Sequence, residues 1–160
     1  MHFQRSSGIL LHPTSLPGAY GSGDFGADAF RFVDWLVAAG QKMWQILPLG
    51  GIGPGNSPYM SSSAFAGNVL LIDLDDLQSH GWLKAEDLSA RGKFDEQRVD
   101  YSVVHHYRME KLHIAAKRFF AGKRRNSFIA SFFSDNQHHA EFDAFCAIEQ
   151  PWLDDYALFM

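Results

Sequence analysis

The chain has 160 residues, 46% of them hydrophobic, with a formal net charge of -4. That is the size of one ordinary domain with enough apolar content for a core, and the acidic balance excludes the basic field that nucleic-acid binding needs. The lone Cys146, a start Met1 to Ser7 without a signal-peptide layout, and the lack of any apolar run near the roughly 18 residues of a membrane helix together predict a cytoplasmic protein with no membrane partner.

Ser7 to Pro13 is an apolar run without polar alternation, so it reads as a strand buried on both faces, as in parallel sheets. Pro13 to Gly23 is rich in Gly and Pro and reads as loop. Gly26 to Ala39 has helical periodicity, with Phe30, Val33, Leu36 and Val37 on one face, Asp28 in the first turn and Gly40 as a stop. Met43 to Leu47 is a second apolar strand, ended by Pro48. Strand, loop, helix and strand in this order make a βαβ unit with parallel strands and a right-handed crossover. Such strands need cover on both faces, so the unit calls for further strands and helices.

Four glycines and three prolines fall between Leu47 and Tyr59. Proline lacks an amide donor and glycine adds backbone entropy, so the stretch is no helix but a shaped loop after a strand, where binding groups concentrate. Asn68 to Leu74 reads as another short strand or extended segment. Polar sequence follows from Asp75 to Arg98, with a short helix at Ala85 to Ala90, and then a long helical pattern from Val99 to Phe120. Lys123 to Ser127 reads as a basic turn, and Phe128 to Phe133 and Glu141 to Ile148 as further helical pieces. Pro151 is placed as the first residue of a last helix, which carries Trp152, Tyr156 and Phe159 on one stripe and reaches Met160 without a capping signal. The expectation is therefore the front part of a longer protein, divided into residues 1–74 and 75–160.

Four segments carry a resemblance to a known family. They are Arg5 to Gly18, Trp44-Gln-Ile-Leu-Pro-Leu49, Asn56-Ser-Pro-Tyr59 and Ser63-Ala-Phe-Ala-Gly-Asn68. In this order they closely resemble the N-terminal part of 4-α-glucanotransferases, the amylomaltase or disproportionating-enzyme family. Trp152 to Phe159 is similar to a segment farther along, so the resemblance covers essentially the whole chain. It implies an α/β fold, the start of a (β/α)8 barrel followed by a mostly helical insertion. The implied reaction transfers α-1,4-glucan segments between maltodextrins with retention, by double displacement on two carboxylates. No metal or organic cofactor is implied. The resemblance places the catalytic carboxylates beyond residue 160, so no catalytic residue is expected in this chain.

The resemblance also names site residues. It carries a sugar contact near the cleavage point to Tyr59, whose ring offers an apolar face and whose hydroxyl offers a hydrogen bond. The other reading is a tyrosine packing its loop. Ser57 is a second sugar contact or a turn serine bonding its own loop. Asn56 stands where many members have Asp, so no charge role carries over. Pro54 stands where some members have the tyrosine of a remote glucan groove. His12, at the end of the first strand, is either a substrate contact or a histidine satisfied within the structure. Asn68 and Ser63 are expected to fix the loop through backbone hydrogen bonds, and Asp24 to cap the first helix or bond the Gly-rich loop. Ala85-Glu-Asp-Leu88 resembles the family's acid/base motif, but Ser89 follows where Gly is expected, and Glu86 reads as the acidic first turn of a surface helix. His105, His106, His113, His138 and His139 fit no familiar zinc spacing and read as solvated helix residues. Cys146 reads as a small buried hydrophobe. Other functions consistent with the residues are a non-catalytic glucan-binding or vestigial module and a hydrolase of the α-amylase superfamily.

Overall fold

The computed structural model describes residues 5–89, 94–95, 97–125 and 135–160. The contacts divide the chain into two compact units, Met1–Leu112 and His113–Met160.

The first unit opens on the expected βαβ element. Strands β1 (Gly8–Leu10) and β2 (Met43–Gln45) pair in parallel, with Gly8 opposite Met43 and Leu10 opposite Gln45. The ladder continues past both ends, through Lys42 N–H to the Ser7 carbonyl (2.9 Å) and Leu11 N–H to the Gln45 carbonyl (3.0 Å). Gly8 allows this approach: a Cβ there would lie 2.6 Å from the Met43 carbonyl oxygen. Trp44 fastens the sheet to the following loop, its indole N–H donating to the Leu11 carbonyl at 2.7 Å.

Helix α1 (Ala27–Ala38) follows the predicted bounds closely. It ends in a two-bond reversal: Gly40 at φ +69° donates to Val37 and Gln41 donates back to Leu36, the left-handed cap that glycine adopts without strain. The expected apolar stripe is not buried, however. Leu36 is, while Phe30 and Val37 are each 71% exposed. The helix meets the sheet through another row, with Phe32 edge-on to Trp44 at 5.0 Å. The strands also have open faces: Leu10 and Met43 are more than half exposed.

Residues after the Leu47–Asn68 loop correct the strand expectation. Val69–Leu71 is a 3-10 turn, and Leu74–Ser79 is a helix, α2. The reason is capping. Asn68 Oδ1 accepts from Leu70 N–H at 3.0 Å, and Asp73 Oδ1 accepts from Asp75 N–H at 2.9 Å, so each side chain starts a turn where an apolar run alone suggested extension. Leu70 and Leu74 then enter the core with Leu83 and Val104, all nearly inaccessible. Helix α3 (Ala85–Ser89) places Glu86 on the surface, paired with Lys84 at 3.1 Å.

Helix α4 (Tyr101–Arg125) is longer than expected and carries the backbone of Lys123 to Arg125, which the sequence read as a turn. Its first half brings Arg108, at 0% exposure, into the first unit. Arg108 donates to the carbonyls of Ile72 (2.9 Å) and Ser22 (3.0 Å) and pairs with Asp24 (2.8 Å). One guanidinium thus joins the Gly-rich loop, the segment before α2, and α4.

In the second unit, helix α5 (Asp135–Phe159) runs continuously through Pro151. The proline begins no new helix: the side-chain bond from Trp152 Nε1 to Glu149 Oε2 (2.5 Å) spans it. Phe142 lies edge-on to Phe119 and Phe120, at 5.5 Å from each. His139 donates from Nε2 to the Phe119 carbonyl at 3.1 Å and is buried, so it is no solvated helix histidine. Cys146 is half-buried. The helical piece expected at Phe128 to Phe133 lies outside the described residues.

Candidate functional site

The loop from Leu47 to Asn68 is tied at its base. Gly50 and Gly67 form an antiparallel bridge, and Asn68 N–H donates to the Leu49 carbonyl at 2.7 Å. Within it, a tighter turn is closed by Gly53 N–H to the Ser57 carbonyl at 3.0 Å. Gly53 must be glycine: a Cβ would stand 2.1 Å from the Met60 carbonyl oxygen. Between these closures Pro54–Asn56 makes a 3-10 turn, with Gly55 at φ +70° and Asn56 at φ +60°. Two successive left-handed residues reverse the chain sharply, and glycine and asparagine are the types that tolerate this.

Hydroxyls hold the rest. Ser57 Oγ accepts from Tyr59 N–H at 3.3 Å. Ser61 Oγ donates to the Ser63 carbonyl at 2.9 Å. Ser63 Oγ accepts from both Phe65 and Ala66 N–H at 3.1 Å. This is the loop-fixing role expected of Ser63, and Asn68 shares it through its own cap.

The result is a concavity of about 490 Å³, within the ~300–1,000 Å³ of small-molecule sites. Pro48, Tyr59, Ser61, Ser63, Phe65 and Gly67 contribute to it, and its lining contains no charged side chain. Tyr59 is 71% exposed and Phe65 72% exposed. Aromatic faces beside serine hydroxyls, with no charge, match a neutral polyol with apolar C–H faces better than an ion.

The four residues predicted as contacts are not gathered in one place. Tyr59 lines this concavity. Ser57 is outside its lining, half-buried, its oxygen accepting from the Tyr59 amide. Asn56 opens instead on a second hollow of about 810 Å³, shared with Arg98, Asp100, Tyr101 and His105. His12 turns toward its own loop. Its Nδ1 accepts from Thr14 N–H at 3.3 Å and lies 2.9 Å from Thr14 Oγ1, which in turn meets the Tyr101 hydroxyl at 3.1 Å. The amide bond puts the imidazole proton on Nε2, an atom that is itself buried and has no partner among the described residues. The ring so placed caps the Pro13–Ser15 turn through Nδ1.

Asp24 accepts from Gly26 N–H at 2.9 Å as well as from Arg108, joining the start of α1 to the clamp. Burial raises the Asp73 carboxyl above the ordinary range, with Asp24 and Asp75 adding to the rise and the capped amides opposing it. Among the described residues no group of three or more His, Cys, Asp or Glu side chains is disposed to hold a metal, and no helix is long and apolar enough to cross a membrane. Sequence reasoning assigned no role to Phe65, Thr14, Tyr101 or Arg108. For Phe65 a signal existed: a lone large aromatic among Ser, Ala and Gly in a loop.

Comparison with known proteins places the chain in a family. The profile of the 4-alpha-glucanotransferase family matches residues 11–160. A 4-alpha-glucanotransferase of Synechocystis is 46% identical over 157 residues, covering 98% of this chain and 29% of that protein. The Thermus thermophilus 4-alpha-glucanotransferase is 44% identical over 160 residues, 100% of this chain and 29% of its own. A relative from Solanum tuberosum, 40% identical, is named as chloroplastic/amyloplastic. The structure of amylomaltase from Streptococcus agalactiae in complex with acarbose matches with a TM-score of 0.71 and 40% identity, over 92% of this chain and 30% of that one. The chain thus spans about 29% of the length of the curated relatives it matches.

Proposed function

This chain belongs to the 4-alpha-glucanotransferase family, and from that premise we propose that it supplies one wall of the glucan site of an enzyme that transfers α-1,4-glucan segments between maltodextrins. The observation that carries the proposal is Tyr59: a tyrosine 71% exposed in an uncharged concavity, on a loop tied at its base and cross-braced by serines. A ring held in water by a rigid loop is suited to the apolar face of a glucosyl residue, with the phenol oxygen bonding a sugar hydroxyl.

In this reading β1, α1 and β2 are the first elements of a (β/α)8 barrel, and residues 75–160 belong to a mostly helical insertion. The parallel register supports it, as do the open strand faces at Leu10 and Met43 and the exposed Phe30 and Val37 on α1. The Tyr59 loop follows β2 directly, which is the C-terminal end of a barrel strand, where such barrels keep their sites. Tyr59 contacts the glucan. Ser57 sets the Tyr59 backbone and Asn56 shapes the turn before it. His12 acts through the loop it caps.

Retaining transfer needs two carboxyl groups about 5 Å apart across the scissile bond. No Asp or Glu lines the Tyr59 concavity, and in this reading the catalytic pair lies outside this chain. The proposed location is cytoplasmic, consistent with a lone thiol. No metal or organic cofactor takes part in this scheme.

Disproportionation tests the proposal. The whole protein incubated with maltotriose yields glucose together with maltopentaose and longer chains. Glucose and maltose without longer products would establish a hydrolase instead. Residues 1–160 alone yield neither; longer products from them would place the carboxylates within this chain.

A further inference from the structure

Phe65 is the feature of the site that the Tyr59 reading leaves unexplained. It is 72% exposed on a loop whose local hydrogen bonds fix its backbone: Ser63 Oγ accepts from its amide and from the next one, both at 3.1 Å. Ser63 itself is held by Ser61, through Oγ to the Ser63 carbonyl at 2.9 Å and from the Ser63 amide at 3.4 Å. Two residues on, Gly67 closes the base against Gly50. The backbone that carries the ring is therefore ordered, while the ring stands largely in water.

Tyr59 and Phe65 line the same concavity of about 490 Å³. The two come from opposite arms of the loop, one before and one after the Ser61–Ser63 brace. Between them stand hydroxyls and backbone, and the lining carries no charge. An anion or cation has no counter-charge here. A peptide would need side-chain pockets or an open strand edge, and this loop spends its amides on its own serines. A sugar ring fits: its C–H face lies on an aromatic ring, and its hydroxyls meet serine oxygens.

We propose that Phe65 is a second sugar-contacting aromatic of this site, receiving the C–H face of a glucosyl unit of the α-1,4-glucan whose neighbouring part contacts Tyr59. The inference rests on the glucan-binding reading of the Tyr59 loop. Phe65 has no hydroxyl, so it contributes affinity without choosing among sugar hydroxyls. Its effect depends on chain length: a glucan long enough to reach both rings feels it, and a short one does not.

The test is calorimetric titration of the protein with maltose and with maltoheptaose, for wild type, Y59A, F65A, F65L and F65W, with melting curves for each. F65A weakens maltoheptaose binding roughly tenfold, equivalent to about 1.4 kcal/mol, and changes maltose binding less than threefold. F65W retains wild-type affinity, because the aromatic face is kept. F65L loses affinity as F65A does, although it is apolar and melts as wild type. The inference is overturned if F65L binds maltoheptaose as wild type, or if F65A melts early while its affinity is unchanged; either result would make Phe65 a packing residue. If Y59A weakens binding and F65A does not, the Phe65 role fails while the Tyr59 reading stands. If wild type binds no glucan at all, both fall together.

Discussion

Removing the Arg108 guanidinium tests the architecture that places the loops. The side chain has 0% exposure and three acceptors: the Ile72 carbonyl at 2.9 Å, the Ser22 carbonyl at 3.0 Å and Asp24 at 2.8 Å. The Asp24 side chain is itself only 13% exposed. R108M keeps most of the volume but leaves that carboxylate without its cation and two carbonyls without donors. Breaking a buried pair on one side costs about 3–5 kcal/mol, a large part of the roughly 5–15 kcal/mol that holds a domain. Lysine does not restore the clamp, since a single ammonium cannot reproduce the forked donors that reach all three acceptors; R108K is expected to cost about half as much. The assay is urea unfolding followed by far-UV circular dichroism, with midpoints converted by a common slope. A double-mutant cycle with D24N isolates the ionic part. A loss under about 1 kcal/mol for R108M, or additive effects of R108M and D24N, would refute the clamp.

Three further outcomes follow from single contacts. G53A should destabilise by about 1–3 kcal/mol as an overpacked site, because its Cβ meets the Met60 carbonyl at 2.1 Å; a wild-type thermal midpoint would contradict the tight closure. N68A removes the side chain that accepts from Leu70 N–H at 3.0 Å and should cost about 0.5–2 kcal/mol, as lost caps do, read by the same urea curves. Asp73 gives a pH signature. Its carboxyl is raised in the folded protein, chiefly by burial, so the folded state holds this proton more tightly than the unfolded one. The resulting stabilisation is present below the ordinary carboxylate value of 3.8 and is lost as pH rises through the raised one. Melting of wild type and D73N from pH 3 upward should show wild type losing ground to D73N as pH increases, and a constant difference would exclude the effect.

What could be read from residues alone was what local rules decide. Helix α1 and its end were legible because Asp28, the 3.6-residue pattern and Gly40 act within a few residues of one another. The Leu47–Asn68 loop was legible because glycine and proline forbid regular structure there. The turn at Val69–Leu71 was not: four apolar residues look like a strand, and the Asn68 cap that starts the turn carries no period. Pro151 misled in the same way, since a helix start and a tolerated interior proline look alike in sequence. Tyr59 was singled out by its motif and its setting, and it lines the concavity. The separation of Asn56 from Tyr59 was hidden, because it depends on two consecutive left-handed residues, Gly55 and Asn56. Phe65 had a signal, a lone large aromatic among small loop residues, but its place beside Tyr59 depends on a loop backbone braced by Ser61 and Ser63.

In the proposed function the Tyr59 loop binds an α-1,4-glucan. The most direct measurement is an amide-resolved NMR titration of the protein with maltoheptaose, repeated on Y59A. Saturable shifts are expected at Tyr59, Ser61, Ser63 and Phe65, none centred on Asp75 or Asp76 in α2, with loss of at least tenfold in affinity for Y59A. Saturable binding centred elsewhere, or wild-type affinity in Y59A, would contradict it.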